Sequence, residues 1–157
     1  MDKHPIQHFI IHMLVKQAIT FEEQTIEFYQ RAAVRMTLEP SKLLLLSFAE
    51  EEAQHKLKLE QFLSGDLQEI FASQPVPEKI EISIDSHSLH RKITGLESEA
   101  EIIELAIMKE KASYSFYRLL SQKTKIHSAK QVFLFLAQQE QSHLVKLETE
   151  LHKDSKQ

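Results

Sequence analysis

The sequence predicts an all-α protein, a four-helix bundle with a long crossover between its second and third helices. Three observations carry this expectation. The 157 residues include only two Gly and four Pro, and good helix formers dominate the rest. Four blocks keep their apolar residues at spacings of three and four, the signature of an amphipathic helix. The second pair of blocks also repeats the first at a constant offset of 88 residues.

The first helix is expected over about 5–36. Pro5 suits a first turn, where a missing N–H costs no hydrogen bond. Ile11, Leu14, Val15, Ala18, Ile19, Ile26 and Ala33 mark its inward stripe. Pro40-Ser41 marks the turn into a second helix over about 41–64, and Gly65 stands where a C-cap glycine would stand. Pro75 and Pro77 then interrupt helix, and Ile80, Ile82 and Ile84 alternate as in an extended segment. A short helix over 66–72 is expected before them. A crossover over about 65–97 needs a reason. It has one if the third helix repeats the role of the first, because the chain must then return along the bundle. The third helix is expected over about 98–123, with Ile102, Leu105, Ala106, Tyr114, Tyr117 and Leu120 inward, and the fourth over about 128–152. One long crossover among four long helices matches a ferritin-like bundle within a single domain over 1–157.

The offset of 88 carries Glu22, Glu52 and His55 onto Glu110, Glu140 and His143. It also carries Ala18-Ile19 onto Ala106-Ile107, Phe28-Tyr29 onto Phe116-Tyr117, and Lys58-Leu59-Glu60 onto Lys146-Leu147-Glu148. A pair of helices is used twice, and each copy brings two carboxylates and one imidazole. Residues three apart on a helix lie about 60° apart around the axis and about 4.5 Å along it. Each Glu-x-x-His pair therefore projects from one face, and six ligands can converge on the bundle axis. Four carboxylates and two imidazoles suit two divalent ions. Buried carboxylates repel one another and lose hydration, and two dications match their charge. Ligands without sulfur favour Fe, Mn, Co or Zn. Tyr29 and Tyr117 follow Glu22 and Glu110 by seven residues, nearly two turns, so each phenol shares the inward face of its Glu. There it can hydrogen-bond a ligating carboxylate across the bundle or take part in redox chemistry.

These motifs resemble the rubrerythrin family over essentially the whole chain. They are Ala18-Ile-x-x-Glu22 with Phe28-Tyr29, Phe48-Ala-x-x-Glu52-x-x-His55, Ala106-Ile-x-x-Glu110 with Phe116-Tyr117, and Leu136-Ala-x-x-Glu140-x-x-His143. The resemblance implies a non-haem di-iron centre that reacts with H2O2 or O2 and draws electrons from a separate donor protein. Two departures stand out. The absence of Cys rules out a rubredoxin-like domain in this chain. The position three residues after the third-helix ligand, where such proteins often carry another Glu, is Ser113, and Thr25 matches it in the first copy. The centre therefore looks more symmetric and nearer to a six-ligand ferritin-like site. An iron-handling protein (ferroxidase, carrier or sensor) and a structural bundle with a vestigial site are the competing readings.

The remaining features bound the function. A net charge of -4 and a pI near 6.1 give no electrostatic case for nucleic acid or an anionic membrane. No stretch approaches the roughly 20 apolar residues of a membrane span, and the N-terminus does not read as a signal peptide, so a cytoplasmic protein is expected. His4, His8 and His12 share i, i+4 spacing without a carboxylate partner. They do not read as a specific metal site, and His87, His90, His127 and His152 read as surface. Glu23, Glu50, Glu51, Glu101 and Glu104 read as solvated helix surface. Phe9, Ile10 and Met13 are candidates for a homodimer seam.

Overall fold

The computed structural model describes residues 4–65 and 92–154, with side chains described from residue 9 onward. The short helix expected over 66–72, the extended segment at 80–84, and His87 and His90 lie outside the described residues. Four helices account for nearly all of what is described: α1 His4–Arg35, α2 Glu39–Ser64, α3 Glu99–Lys123 and α4 His127–Asp154. All four are helical for the reason read from the sequence, an apolar stripe at three-to-four spacing. Ile11, Val15, Ala18 and Ala33 of α1 are buried, as are Ile102, Leu105, Ala106, Tyr117 and Leu120 of α3.

Pro40 lies in the first turn of α2, where proline is pre-organised for helix. Gly65 is the C-cap of that helix, and its N–H donates to the Gln61 carbonyl. Its backbone is right-handed (φ -95°), so the cap does not draw on glycine's left-handed freedom. Gly95 does, with φ 94°. There the Gly95 N–H donates to the Glu97 carboxylate at 3.0 Å, just before α3. A capping box then starts α3. Ser98 accepts from the Glu101 N–H, and the Glu101 side chain accepts from the Ser98 N–H.

The helices pack as two hairpins, α1 with α2 and α3 with α4. Contacts at the helix ends give the arrangement of the hairpins. Arg35, at the C-terminus of α1, donates to the Glu97 carbonyl, and the Thr37 hydroxyl donates to Glu99 at 2.7 Å. Ser41, at the start of α2, donates to Glu150 near the end of α4. Thus α1 runs antiparallel to α3, and α2 antiparallel to α4. Ser64 and Glu99 consequently lie at opposite ends of the bundle. The bundle is about 39 Å long there, from the 26 residues of α2.

The core divides in two along the axis. One apolar cluster gathers Val15, Phe21, Leu59, Phe116, Leu120 and Phe133 with their neighbours. The other gathers Phe28, Leu45, Phe48, Ile102, Ile103 and Leu147 with theirs. Between them lies a polar layer made of Glu22, Glu52, His55, Glu110, Glu140 and His143, all buried.

Leu59 is fully buried one turn beyond His55. Leu59→Ala should cost about 2–5 kcal/mol. The expected observation is a lower urea midpoint with an unchanged m-value, followed by circular dichroism.

Candidate metal centre

Each helix brings its polar residue to the same level of the bundle. Glu22 comes from α1 and Glu110 from α3, while the Glu-x-x-His pairs come from α2 and α4. Two groups of ligand atoms form there, each within 4.8 Å of one another. One joins Glu22, Glu52, His55 and Glu140, and the other joins Glu52, Glu110, Glu140 and His143. Glu52 and Glu140 belong to both, which is where bridging carboxylates would sit. Glu22 with His55, and Glu110 with His143, are the outer members.

The distances show a cluster held together without being satisfied. His55 Nδ1 is 2.9 Å from Glu52 Oε2 and 3.5 Å from Glu140 Oε1. His143 Nδ1 is 3.0 Å from Glu52 Oε1 and 3.6 Å from both Glu110 Oε2 and Glu140 Oε2. Yet His143 Nδ1, Glu52 Oε1, Glu110 Oε2 and Glu140 Oε1 are buried without an aligned hydrogen bond among the described residues. Buried polar atoms are normally paired. Here four of them, all of ligand type, point into one shared space, and the donor set fits divalent ions.

Tyr29 and Tyr117 complete the layer. The Tyr29 hydroxyl donates to Glu110 Oε1 and the Tyr117 hydroxyl to Glu22 Oε1. Each phenol thus reaches the outer carboxylate of the opposite hairpin. Burial raises both phenol pKa values, and the nearby carboxylates raise them further, so the hydroxyls stay protonated donors.

Protons balance the charge. Burial, then the charges of Glu52 and Glu140, holds the Glu22 carboxyl above its ordinary value; burial and Glu140 do the same for Glu110. Burial acts the same way on Glu52, but His143 and His55 outweigh it and hold that carboxylate low. Glu140 is likewise lowered: against burial and Glu52, the two imidazoles prevail. Burial would lower His55, but Glu140 and Glu52 raise it to about 10. His143 is raised for the same reason by Glu110, Glu140 and Glu52. Two neutral carboxyls, two carboxylates and two imidazolium rings sum to zero. Two dications with all six ligands deprotonated give the same sum, so loading should release about four protons.

Three features around the layer escaped the sequence reading. Glu51, expected as solvated surface, is only 36% exposed, and its Oε2 lies 2.8 Å from His143 Nε2. Phe48 stacks on the His143 ring with centroids 4.3 Å apart. Lys109 is fully buried beside Glu110, its ammonium 5.6 Å from the centre of the Phe28 ring. Burial lowers its pKa to about 8 against the pull of Glu110, Glu52 and Glu22. At the offset of 88 the residue matching Lys109 is Phe21, and the one matching Glu51 is Gln139. Those breaks in the repeat are the signal that was there to be read. The other residues expected at the surface behave more simply: Glu23 pairs with Lys56 at 2.8 Å, and Glu50, Glu104, His127 and His152 are exposed.

A family model described as rubrerythrin matches residues 14–151. A hypothetical protein from Pyrococcus furiosus has a similar structure, with a TM-score of 0.69 over 90% of this chain and 88% of that one. At 24% identity that likeness speaks for the fold alone. No curated protein matches the chain. Among the described residues no helix is long and apolar enough to cross a membrane.

Two outcomes are expected. Protein expressed with iron supplied and purified without chelator should carry about two ions per chain by mass spectrometry, and Glu52→Ala, which removes a carboxylate common to both groups, should lose them. The second concerns pH. The raised Glu22 and Glu110 stabilise the metal-free fold below 4.5 and His55 does so below 6.5, and these contributions are lost as pH rises through their raised values, about 10 for His55. The lowered Glu52 and Glu140 stabilise above 4.5 and lose their contribution as pH falls below it. The thermal midpoint of metal-free protein should therefore peak near pH 4.5, fall as pH rises from there, and fall more steeply above about 6.5. Saturating metal should lift the alkaline side; a metal-free midpoint that climbs from pH 6.5 to 9 would contradict the proton balance.

Proposed function

The chain belongs to the rubrerythrin family, and we propose that it is a non-haem di-iron oxidoreductase that reduces peroxide or O2 with electrons from a separate donor protein. The observation that carries this reading is the pair of ligand groups sharing Glu52 and Glu140, with a tyrosine hydroxyl on each outer carboxylate. Glu22 and His55 would hold one iron, Glu110 and His143 the other, and Glu52 and Glu140 would bridge them. When bound, a ferrous pair supplies two electrons, which with two protons reduce one H2O2 to two waters. The chain's own part is orientation and charge. Tyr29 and Tyr117 fix the outer carboxylates by each donating a hydrogen bond to one oxygen, so Glu110 and Glu22 present their other oxygens inward. Glu52 and Glu140, free of tyrosine partners, would be the carboxylates shared by the two ions and the ones left free to adjust to their charge. The two apolar clusters above and below the layer exclude water from it.

One observation favours a second reading, iron handling without peroxidase turnover. The positions where a further carboxylate would receive a shifting ion hold Ser113 and Thr25, and the Thr25 hydroxyl is already bonded to the Phe21 carbonyl at 2.9 Å. A symmetric six-ligand site suits ferroxidase or carrier chemistry as well.

Stopped-flow mixing of the di-ferrous protein with H2O2 tests the proposal through the rise of ferric absorption. Oxidation should far outpace that of free Fe(II), and excess reductant should sustain repeated turnover. Tyr29→Phe and Tyr117→Phe should each keep the ions and slow oxidation by about 10-fold or more. A single stoichiometric oxidation without turnover would move the assignment to iron handling, and a rate equal to that of free Fe(II) would end the redox reading.

A further inference from the structure

The two hairpins match at all six polar-layer positions and differ directly beside them. Glu51 precedes Glu52, whereas the matching residue before Glu140 is Gln139. Glu51 reaches across from α2 to α4 and places Oε2 2.8 Å from His143 Nε2. A carboxylate only accepts, so Nε2 keeps its hydrogen and the Nδ1 lone pair is left for an ion among Glu52, Glu110 and Glu140. The Phe48 ring stacked on this imidazole blocks it from turning.

His55 is placed differently. Its Nδ1 also faces the shared carboxylates, but among the described residues no carboxylate is bonded to its outer nitrogen. His55 instead lines a surface cavity of about 440 Å³, together with Glu51, Gln54, Lys58, Phe135 and Gln139. Gln139, which stands where the repeat of Glu51 falls, carries no charge to set against that ring.

We infer that the two ion positions are inequivalent: the Glu110–His143 position loads first and retains its ion, and the Glu22–His55 position exchanges a divalent cation with solvent through the cavity. Glu51 is the positioning residue that creates the difference. This inference rests on the metal-binding reading above. It adds an order of loading and a route, neither of which the ligand set alone supplies. Outer-sphere partners of a ligating histidine are typically worth 10–100-fold in metal affinity, enough to separate two otherwise matched positions.

Co(II) titrated into the metal-free full chain, followed by ligand-field absorption and by heat, reads both positions without any turnover. The wild type should bind two ions in two resolved steps. Glu51→Gln should weaken the tighter step by about 10–100-fold and leave the weaker one in place, with the thermal midpoint of the metal-free variant confirming that it folds. One step of two equal ions in the wild type, or an equal shift of both steps in Glu51→Gln, would overturn the inference while leaving the metal centre standing. A wild type that binds no Co(II) would instead bring down the metal reading on which it depends.

Discussion

Four carboxylates share the dry middle of this bundle, and the surrounding structure answers their charge. Water cannot reach Glu22, Glu52, Glu110 and Glu140, so compensation has to come from groups placed among them. Two imidazoles at i, i+3 from the shared carboxylates supply part of it, and protons held on the outer carboxyls supply the rest. Lys109 brings one more cationic group into the same region, within a core that would ordinarily exclude an ammonium. The apolar clusters on either side keep the dielectric low and so keep the imbalance expensive. An interior built this way is poised for cations of the right charge, and its strain is confined to a single layer of the bundle.

The repeat explains the economy of the design, and its breaks explain the chemistry that symmetry alone would not allow. Glu22 and Glu110 receive equivalent phenols, each from the opposite hairpin. Glu51 and Lys109 have no such counterparts, since Gln139 and Phe21 stand in their places. Both departures lie within one residue of a polar-layer position, on the two hairpins in turn. A duplicated frame has thereby become two distinct environments around one shared pair of carboxylates.

Much of this was legible in the chain. Helix existence followed from the spacing of residues such as Val15, Ala18, Ala106 and Leu120. The polar layer followed from the constant offset linking Glu22, Glu52 and His55 to their partners, because three-residue spacing on a helix is a geometric statement. Seven-residue spacing placed Tyr29 and Tyr117 on the inward face, though it could not say which carboxylate each would meet; that depends on α1 running against α3. Glu51 was illegible for a related reason. Viewed on its own helix it lies about 100° around from Glu52 and reads as solvent-facing, and only the approach of α4 converts it into a partner of His143. Lys109 was hidden by composition, one lysine among many, until packing enclosed it. Gly65 stood at its expected cap, but the conformation there is one that any residue adopts.

The antiparallel run of α1 against α3 also bears on the order in which the molecule assembles. Each hairpin is made of near neighbours in sequence, so its contacts close short loops and form early. The polar layer joins residues far apart in sequence, as Glu52 with Glu110 and Glu140, and it exists only once the hairpins have docked. Neither hairpin alone presents more than two carboxylates and one imidazole, too few to close around a pair of ions. Ions would therefore meet a site already enclosed by the docked hairpins, and their passage inward would be a kinetic matter for the mature protein.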